Sequence, residues 1–282
     1  MDPTLDLPPL DVVSLMQMHQ LRPKKSLGQN FLVDPVALRR IIHAAELPDE
    51  ATVLEIGPGF GSLTRYLAVT VRRVIAVELD SALVPVLRQT LSTWSNVTVI
   101  QGDILLLDPA NLILEPGYMV VANIPYYITS ALIRHLLEAR LKPARLVLTV
   151  QREVAERICA DPGDMSLLAL SVQVYGLPQV IAHIPAGAFY PPPKVDSSVV
   201  RVDLLAQPRI PAERLDDFFT LAKAGFNQKR KMLRNALSRG LNWSPAQVES
   251  LLQNAKIDSH RRAETLSLEE WGRMTEVFSG FR

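Results

Sequence analysis

The 282-residue chain contains a single cysteine, Cys159, so no internal disulfide is possible. Its five histidines, His19, His43, His135, His183 and His260, are scattered, and no Cys/His group has the spacing of a zinc site. No bound metal is expected, and a reducing cytoplasm is the expected compartment. Nothing beside Cys159 would lower its pKa, which makes it filler on a helix face rather than a nucleophile. The N-terminus lacks the basic start and apolar run of a signal peptide, carrying Asp2, Asp6, Asp11 and three prolines instead. The uncharged stretch 165–193 is broken by Gln173, Gly176, Pro178 and Gln179, so it reads as buried core and no membrane span is expected. An excess of one charge is also missing, the formal net charge being +1. That balance hides an asymmetry: residues 205–282 hold 13 Lys and Arg against 9 Asp and Glu, a surplus of +4 that leaves −3 for the rest. Such a surplus fits an anionic partner docking partly on the C-terminal portion.

What is present is an ordinary globular composition, 48% hydrophobic and 21% charged, on a chain long enough for one large domain and one small one. An amphipathic helix is expected over 10–21, ending in the basic loop Arg22-Pro23-Lys24-Lys25. Asp34-Pro35 places an N-cap and a first-turn proline before Val36, Leu38, Ile41, Ile42 and Ala45 at helical spacing. Short apolar runs at 52–56, 74–77, 97–100, 118–122 and 145–150 read as buried strands, with helix-compatible stretches at 63–68, 81–91 and 130–139 between them. This alternation predicts a doubly wound, parallel α/β sheet. Residues 166–175 are too uniformly apolar for periodicity to decide, with a slight preference for helix. Strands are expected at 180–184 and 198–204, pairing antiparallel at the sheet edge. Beyond a linker at 207–211 every periodic segment is helical, and Ser244-Pro245-Ala246-Gln247 and Ser267-Leu268-Glu269-Glu270 both read as capping boxes. The expected division is a lead-in segment at 1–24, a Rossmann-like domain at 25–206 and a helical domain at 207–282.

The first strand runs into Gly57-Pro58-Gly59-Phe60-Gly61, where glycines let the backbone approach a ligand closely. A dinucleotide fingerprint would need glycine where Ser62 stands, whereas E-x-G-x-G-x-G from Glu55 is the methyltransferase form. Glu78 follows Gly57 by 21 residues at the end of the second strand, where its carboxylate can accept from both hydroxyls of a ribose; Asp80 is expected to cap the next helix. Asp103, ending the third strand, can accept from the amino group of a bound adenine. The fourth strand delivers Asn123-Ile124-Pro125-Tyr126. The lone pair of an exocyclic adenine amine is delocalised into the ring. The Asn123 amide oxygen and the Ile124 carbonyl can accept its two N–H hydrogens and favour the pyramidal nitrogen that develops during alkylation. Tyr126 offers a stacking face for a flipped base. No carboxylate base is required, because the amine releases its proton after attack.

With these motifs the chain resembles the ribosomal RNA adenine N6,N6-dimethyltransferase family (KsgA/RsmA type) over 24–266. The resemblance is carried by Lys25-Ser26-Leu27-Gly28-Gln29-Asn30-Phe31-Leu32, the Glu55 glycine loop, Val77-Glu78-Leu79-Asp80 and Asn123-Ile124-Pro125-Tyr126. Further matches are Gln151-Arg152-Glu153-Val154, residues 188–198 and 226–235, and Arg262-Ala263-Glu264. It implies a class I methyltransferase fold with a small all-helical C-terminal domain, and S-adenosyl-L-methionine as cofactor. Asn30 and Leu32 would meet the methionine end, Gly57 the backbone-cradled region, Glu78 the ribose, Asp103 the adenine and Asn123 the reacting centre. Phe189 would stack on the target base opposite Tyr126. Lys229, Arg230, Lys231 and Arg234, read as lying within three turns of a helix, suit phosphate contacts.

The implied reaction is dimethylation of N6 of two adjacent adenosines in the 3′-terminal hairpin loop of 16S rRNA, within a pre-assembled small ribosomal subunit, by a monomer. The family often has Leu where this chain has Ile124, and the macrolide-resistance 23S rRNA methyltransferases also show N-I-P-Y, so that position does not separate the two. The Gly-Gln-Asn-Phe-Leu segment, Tyr190-Pro191-Pro192-Pro193-Lys194, Asn227-Gln228-Lys229-Arg230-Lys231 and Arg262-Ala263-Glu264 favour the small-subunit reading. A DNA or protein amino-group methyltransferase and a non-enzymatic assembly factor are the other rivals.

Overall fold

The structure, a computed structural model, describes residues 6–228 and 230–281. The chain divides into two compact units: the residues up to Ala155 together with Gln179–Leu204, and Glu156–Pro178 together with the residues from Leu205. A single cut after residue 206 therefore misplaces 156–178. The physical reason is a set of backbone bonds within the second unit. Gly163 N–H and Met165 N–H donate to the Glu264 carbonyl at 2.9 and 3.1 Å, Leu205 N–H to Tyr175 at 2.9 Å, and Arg209 N–H to Val174 at 2.8 Å.

In chain order the first elements are α1 (Val12–Met18), β1 (Phe31–Leu32), α2 (Pro35–Ala45), β2 (Thr52–Ile56), α3 (Ser62–Thr70), β3 (Arg73–Glu78), α4 (Val84–Thr90), β4 (Val97–Gln101) and α5 (Pro109–Leu112). Next come β5 (Met119–Asn123), α6 (Thr129–Glu138), β6 (Arg145–Gln151), α7 (Arg152–Ile158), α8 (Leu167–Gln173), β7 (Gly176–Ile184), β8 (Phe189–Tyr190) and β9 (Ser197–Leu204). The C-terminal elements are helices α9 (Leu215–Phe226), α10 (Leu233–Leu241), α11 (Pro245–Asn254) and α12 (Leu268–Ser279). The capping signals act as expected. The Asp34 carboxylate accepts from the amides of Val36 and Ala37, and Ser244 and Ser267 close full capping boxes with Gln247 and Glu270. Most of the ambiguous stretch 166–175 is helical, as α8, with Ser166 as its N-cap accepting from Ala169 N–H.

Seven strands form one sheet in the order β4-β3-β2-β5-β6-β9-β7. The pairs from β4 through β6 are parallel and β9 runs antiparallel to β6. As expected, β9 and β7 lie side by side at the sheet edge, and β7 is longer than predicted. β2 is buried throughout and β3 after its first residue, which is why their sequences carry no polar alternation. From β2 the order runs outward through β3 and β4, then restarts on the other flank with β5. The carboxyl ends of β2 and β5 thus mark the switch point where an open α/β sheet offers a crevice.

A second expectation fails. Residues 227–235 are not one helix: α9 ends at Phe226, Arg230 and Lys231 lie in a turn, and only Arg234 is on α10. Met232 is extended (φ −58°, ψ 146°), and the first amides of α10 are drawn elsewhere, Leu233 N–H to the Arg261 carbonyl at 2.7 Å and Arg234 N–H to that of Ser259 at 3.4 Å. Lys229 lies outside the described residues.

Candidate active site

Asn30, Leu32, Gly57, Glu78, Asp103, Asn123, Ile124, Tyr126 and Phe189 all border one cavity at the switch point. The glycine loop sets its floor. Gly57 has φ +70°, and a Cβ there would meet only the Asn123 carbonyl oxygen, at 3.9 Å, so the loop leaves room above its backbone. Gly59 has φ +61°, and a Cβ would stand 2.8 Å from the Phe31 ring, which itself packs edge-on against Phe60.

Glu78 is 5% exposed at the end of β3, and its two oxygens accept from Gly59 N–H at 2.9 Å and Asp80 N–H at 2.8 Å. Those bonds fix the carboxylate while each oxygen keeps a further acceptor direction. Burial pushes its pKa up, opposed by the two amides. Behind it Glu55 is 1% exposed, and burial raises its pKa to about 8, with Glu78 adding repulsion. One Asp103 oxygen accepts from Leu105 N–H at 3.0 Å.

The segment before β1 is clasped to the end of β3. Asp80 accepts from Lys24 Nζ at 2.7 Å and from Gln29 Nε2 at 2.9 Å, and Gln29 Oε1 in turn accepts from Lys24 N–H at 2.7 Å. Asp80 also receives Ala82 N–H, so it does cap the turn ahead of α4, while its other side-chain partners come from the segment before β1. Lys24 and Gln29 hold its pKa down against burial. The clasp places Asn30, whose carbonyl accepts from Asn123 Nδ2 at 3.1 Å. An amide oxygen facing that carbonyl would be repelled, so Oδ1 of Asn123 must point the other way. No protein donor among the described residues meets it.

β1 pairs antiparallel with β8 in the register Leu32↔Phe189 and Phe31↔Tyr190, which sets Leu32 directly opposite Phe189. Tyr126, in a single turn of 3-10 helix after Pro125, has its hydroxyl 2.9 Å from Ser197 Oγ, and burial raises its pKa. It remains a neutral ring anchored at its far end. Cys159 is half-buried with its thiol pushed up to about 11 by burial and Asp161, which suits no nucleophile. Among the described residues no group of acidic, His or Cys side chains could hold a metal, and no helix is long and apolar enough to cross a membrane.

Sequence reasoning missed the Lys24–Asp80–Gln29 clasp and the Ser197 anchor. Gln29 sits inside a motif already singled out and could have been found from it. For Asp80 the local signal is that of a helix cap, and Ser197 stands out only as part of 188–198, since the partners that give them these roles are 56 and 71 residues distant.

A model described as "Ribosomal RNA adenine dimethylase" matches residues 20–279. The chain is 45% identical to a ribosomal RNA small subunit methyltransferase A of Dehalococcoides mccartyi, covering 94% of this chain and 92% of that one. It is 41% identical to a protein of the same description from Alkaliphilus oremlandii, with 94% of each covered. Among solved structures, a dimethyladenosine transferase from Plasmodium falciparum aligns with TM-score 0.74 at 25% identity, covering 89% of this chain and 98% of that one. The 23S rRNA methyltransferase ErmE aligns with TM-score 0.72 at 30% identity, covering 89% and 100%.

Proposed function

The chain belongs to the ribosomal RNA adenine dimethylase family, and from that premise we propose that it dimethylates N6 of two adjacent adenosines in the 3′-terminal hairpin loop of 16S rRNA, with S-adenosyl-L-methionine as donor. It is an enzyme with the class I methyltransferase fold, acting on ribosomal RNA. The small-subunit target is supported by the higher identity to proteins named for the small subunit than to ErmE. We propose further that it works as a monomer in the cytoplasm on an assembled small subunit.

The observation that carries the reading is the Asn123 amide, tied through Nδ2 to Asn30 with Oδ1 unpaired at the cavity. Asn30 and Leu32 would hold the methionine end of the cofactor, the open backbone at Gly57 its middle, Glu78 the ribose and Asp103 the adenine. When bound, that cofactor supplies a methyl group on a sulfonium sulfur that an amine lone pair can displace. Asn123 Oδ1 and the Ile124 carbonyl accept the two N–H hydrogens of the target amine, localising its lone pair as it turns pyramidal. Tyr126 and Phe189 grip the flipped base by its faces, and the amine proton leaves to solvent after attack. Arg230, Lys231 and Arg234, with Lys229, would contact RNA phosphates. Mapping methylated bases on both ribosomal RNAs tests the target: modification of the 16S hairpin supports it, and modification confined to 23S rRNA overturns it in favour of the macrolide-resistance activity.

A further inference from the structure

The second unit has features that the methyl-transfer site does not use. Trp243, just before α11, is half-buried and leans on the core ring of Phe278, with centroids 5.2 Å apart and planes at 33°. Phe281, 51% exposed, meets the Trp243 ring edge-on at 6.0 Å and 80°. The cleft they border has polar edges from Thr220, Gln247 and Ser250. A second cleft, bordered by Arg234, Asn235 and Arg239, shares Ala246 with the first.

The cations of this unit fall into two groups. Arg209, Arg214, Arg261, Arg262 and Arg273 each have a carboxylate within 4.0 Å. Arg230, Lys231, Arg234 and Arg239 have none among the described residues. Glu249, which borders the second cleft, accepts from the buried Ser259 hydroxyl at 3.2 Å and pairs with neither arginine. Between the clefts begins α11, where Pro245 has no N–H and Gln247 N–H is taken by Ser244, leaving Ala246 N–H at the rim of both.

We propose that this face is a second RNA subsite, in which the cleft bordered by Trp243 and Phe281 takes an unstacked base of single-stranded RNA against an aromatic face while Ala246 N–H, Arg234 and Arg239 receive the adjoining phosphates. Aromatic faces bind any base, and unpaired cations beside them follow the backbone, which is the combination that single-strand binding requires. An apolar peptide would fill the ring cleft and leave the arginines unmatched, so the charges favour the nucleotide. The inference rests on the proposed RNA substrate and adds to it a binding surface remote in sequence from every residue assigned to catalysis.

The test is titration of the full chain with short single-stranded oligoadenylate, following tryptophan fluorescence. Quenching is expected in the parent protein and is lost in Trp243→Leu, with affinity falling about tenfold, as for the loss of one stacked base. Trp243→Phe restores affinity without the quench, which a mere folding defect would not allow. Arg239→Glu lowers the salt slope by about one. Unquenched fluorescence in the parent, or equal affinity in Trp243→Leu, overturns the subsite. Quenching by RNA-free small-subunit proteins but not by oligoadenylate overturns it in favour of a protein partner. Methylation of small subunits is assayed in parallel: if it persists while the quench is absent, the subsite alone fails, and if both are absent, the RNA reading fails with it.

Discussion

The side chain of Asn123 donates from Nδ2 to the backbone carbonyl of Asn30 at 3.1 Å, joining positions 93 residues apart in the chain. This bond fixes which end of the amide faces the cavity. In the proposed role, the acceptor for the target amine is thereby aimed before any ligand arrives, so no reorganisation is needed at the moment of reaction.

Asn123→Ala should cut methyl transfer by roughly 100-fold or more, the loss typical of a deleted transition-state hydrogen-bond partner, while cofactor affinity only weakens. Single-turnover rates and cofactor binding, measured separately, check this. Near-normal turnover removes Asn123 from the reacting centre.

Asp80→Ala should loosen the clasp on Lys24 and Gln29 and with it the placement of Asn30. A buried acceptor of two charge-assisted bonds is lost, so apparent cofactor affinity should fall roughly tenfold, about 1.4 kcal/mol. Lys24→Met should cost less, because Lys24 is half-exposed and its pairing is screened. Equal and full affinity in both variants would show that the clasp positions nothing.

Glu55 gives the fold a pH dependence of definite sign. Its folded pKa is raised from 4.5 to about 8, so between those values the folded state holds a proton that the unfolded chain has lost. Stability from this group is complete below 4.5 and declines as pH rises through about 8. Thermal unfolding across that window should show the decline in the parent protein and a shallower one in Glu55→Gln. Part of the slope remains, since Glu78 is shifted in the same direction. An identical slope in both proteins contradicts the assignment.

Arg230→Glu with Lys231→Glu should weaken binding to small subunits and reduce the salt slope by about one for each phosphate that is no longer neutralised, leaving cofactor affinity intact. An unchanged salt slope would place RNA docking elsewhere.

Much of this was readable from residue order because the deciding interactions are local. The buried strands announce themselves as apolar runs, and Asp34, Ser244 and Ser267 bond within three residues of themselves. The glycine loop, Glu78, Asp103 and Asn123 fall at successive strand ends, so the topology that makes the sheet also assembles the cavity. Failures occur where a distant backbone decides. Residues 227–235 look helical by composition, yet the Arg261 carbonyl captures Leu233 N–H and ends the continuity. Likewise 156–178 reads as part of the α/β unit, while Glu264 draws the amides of Gly163 and Met165 into the helical one. Asp80 looks like a helix cap, and only the fold brings Lys24 and Gln29 to it.

The proposed dimethylation is checked by incubating the protein with labelled S-adenosyl-L-methionine and small ribosomal subunits that lack the modification, then digesting the RNA to nucleosides. The label should appear in N6,N6-dimethyladenosine from 16S rRNA, and should be absent when Asn123→Ala is used. Label confined to monomethyladenosine, or found only when large subunits or free 23S rRNA are supplied, would contradict it.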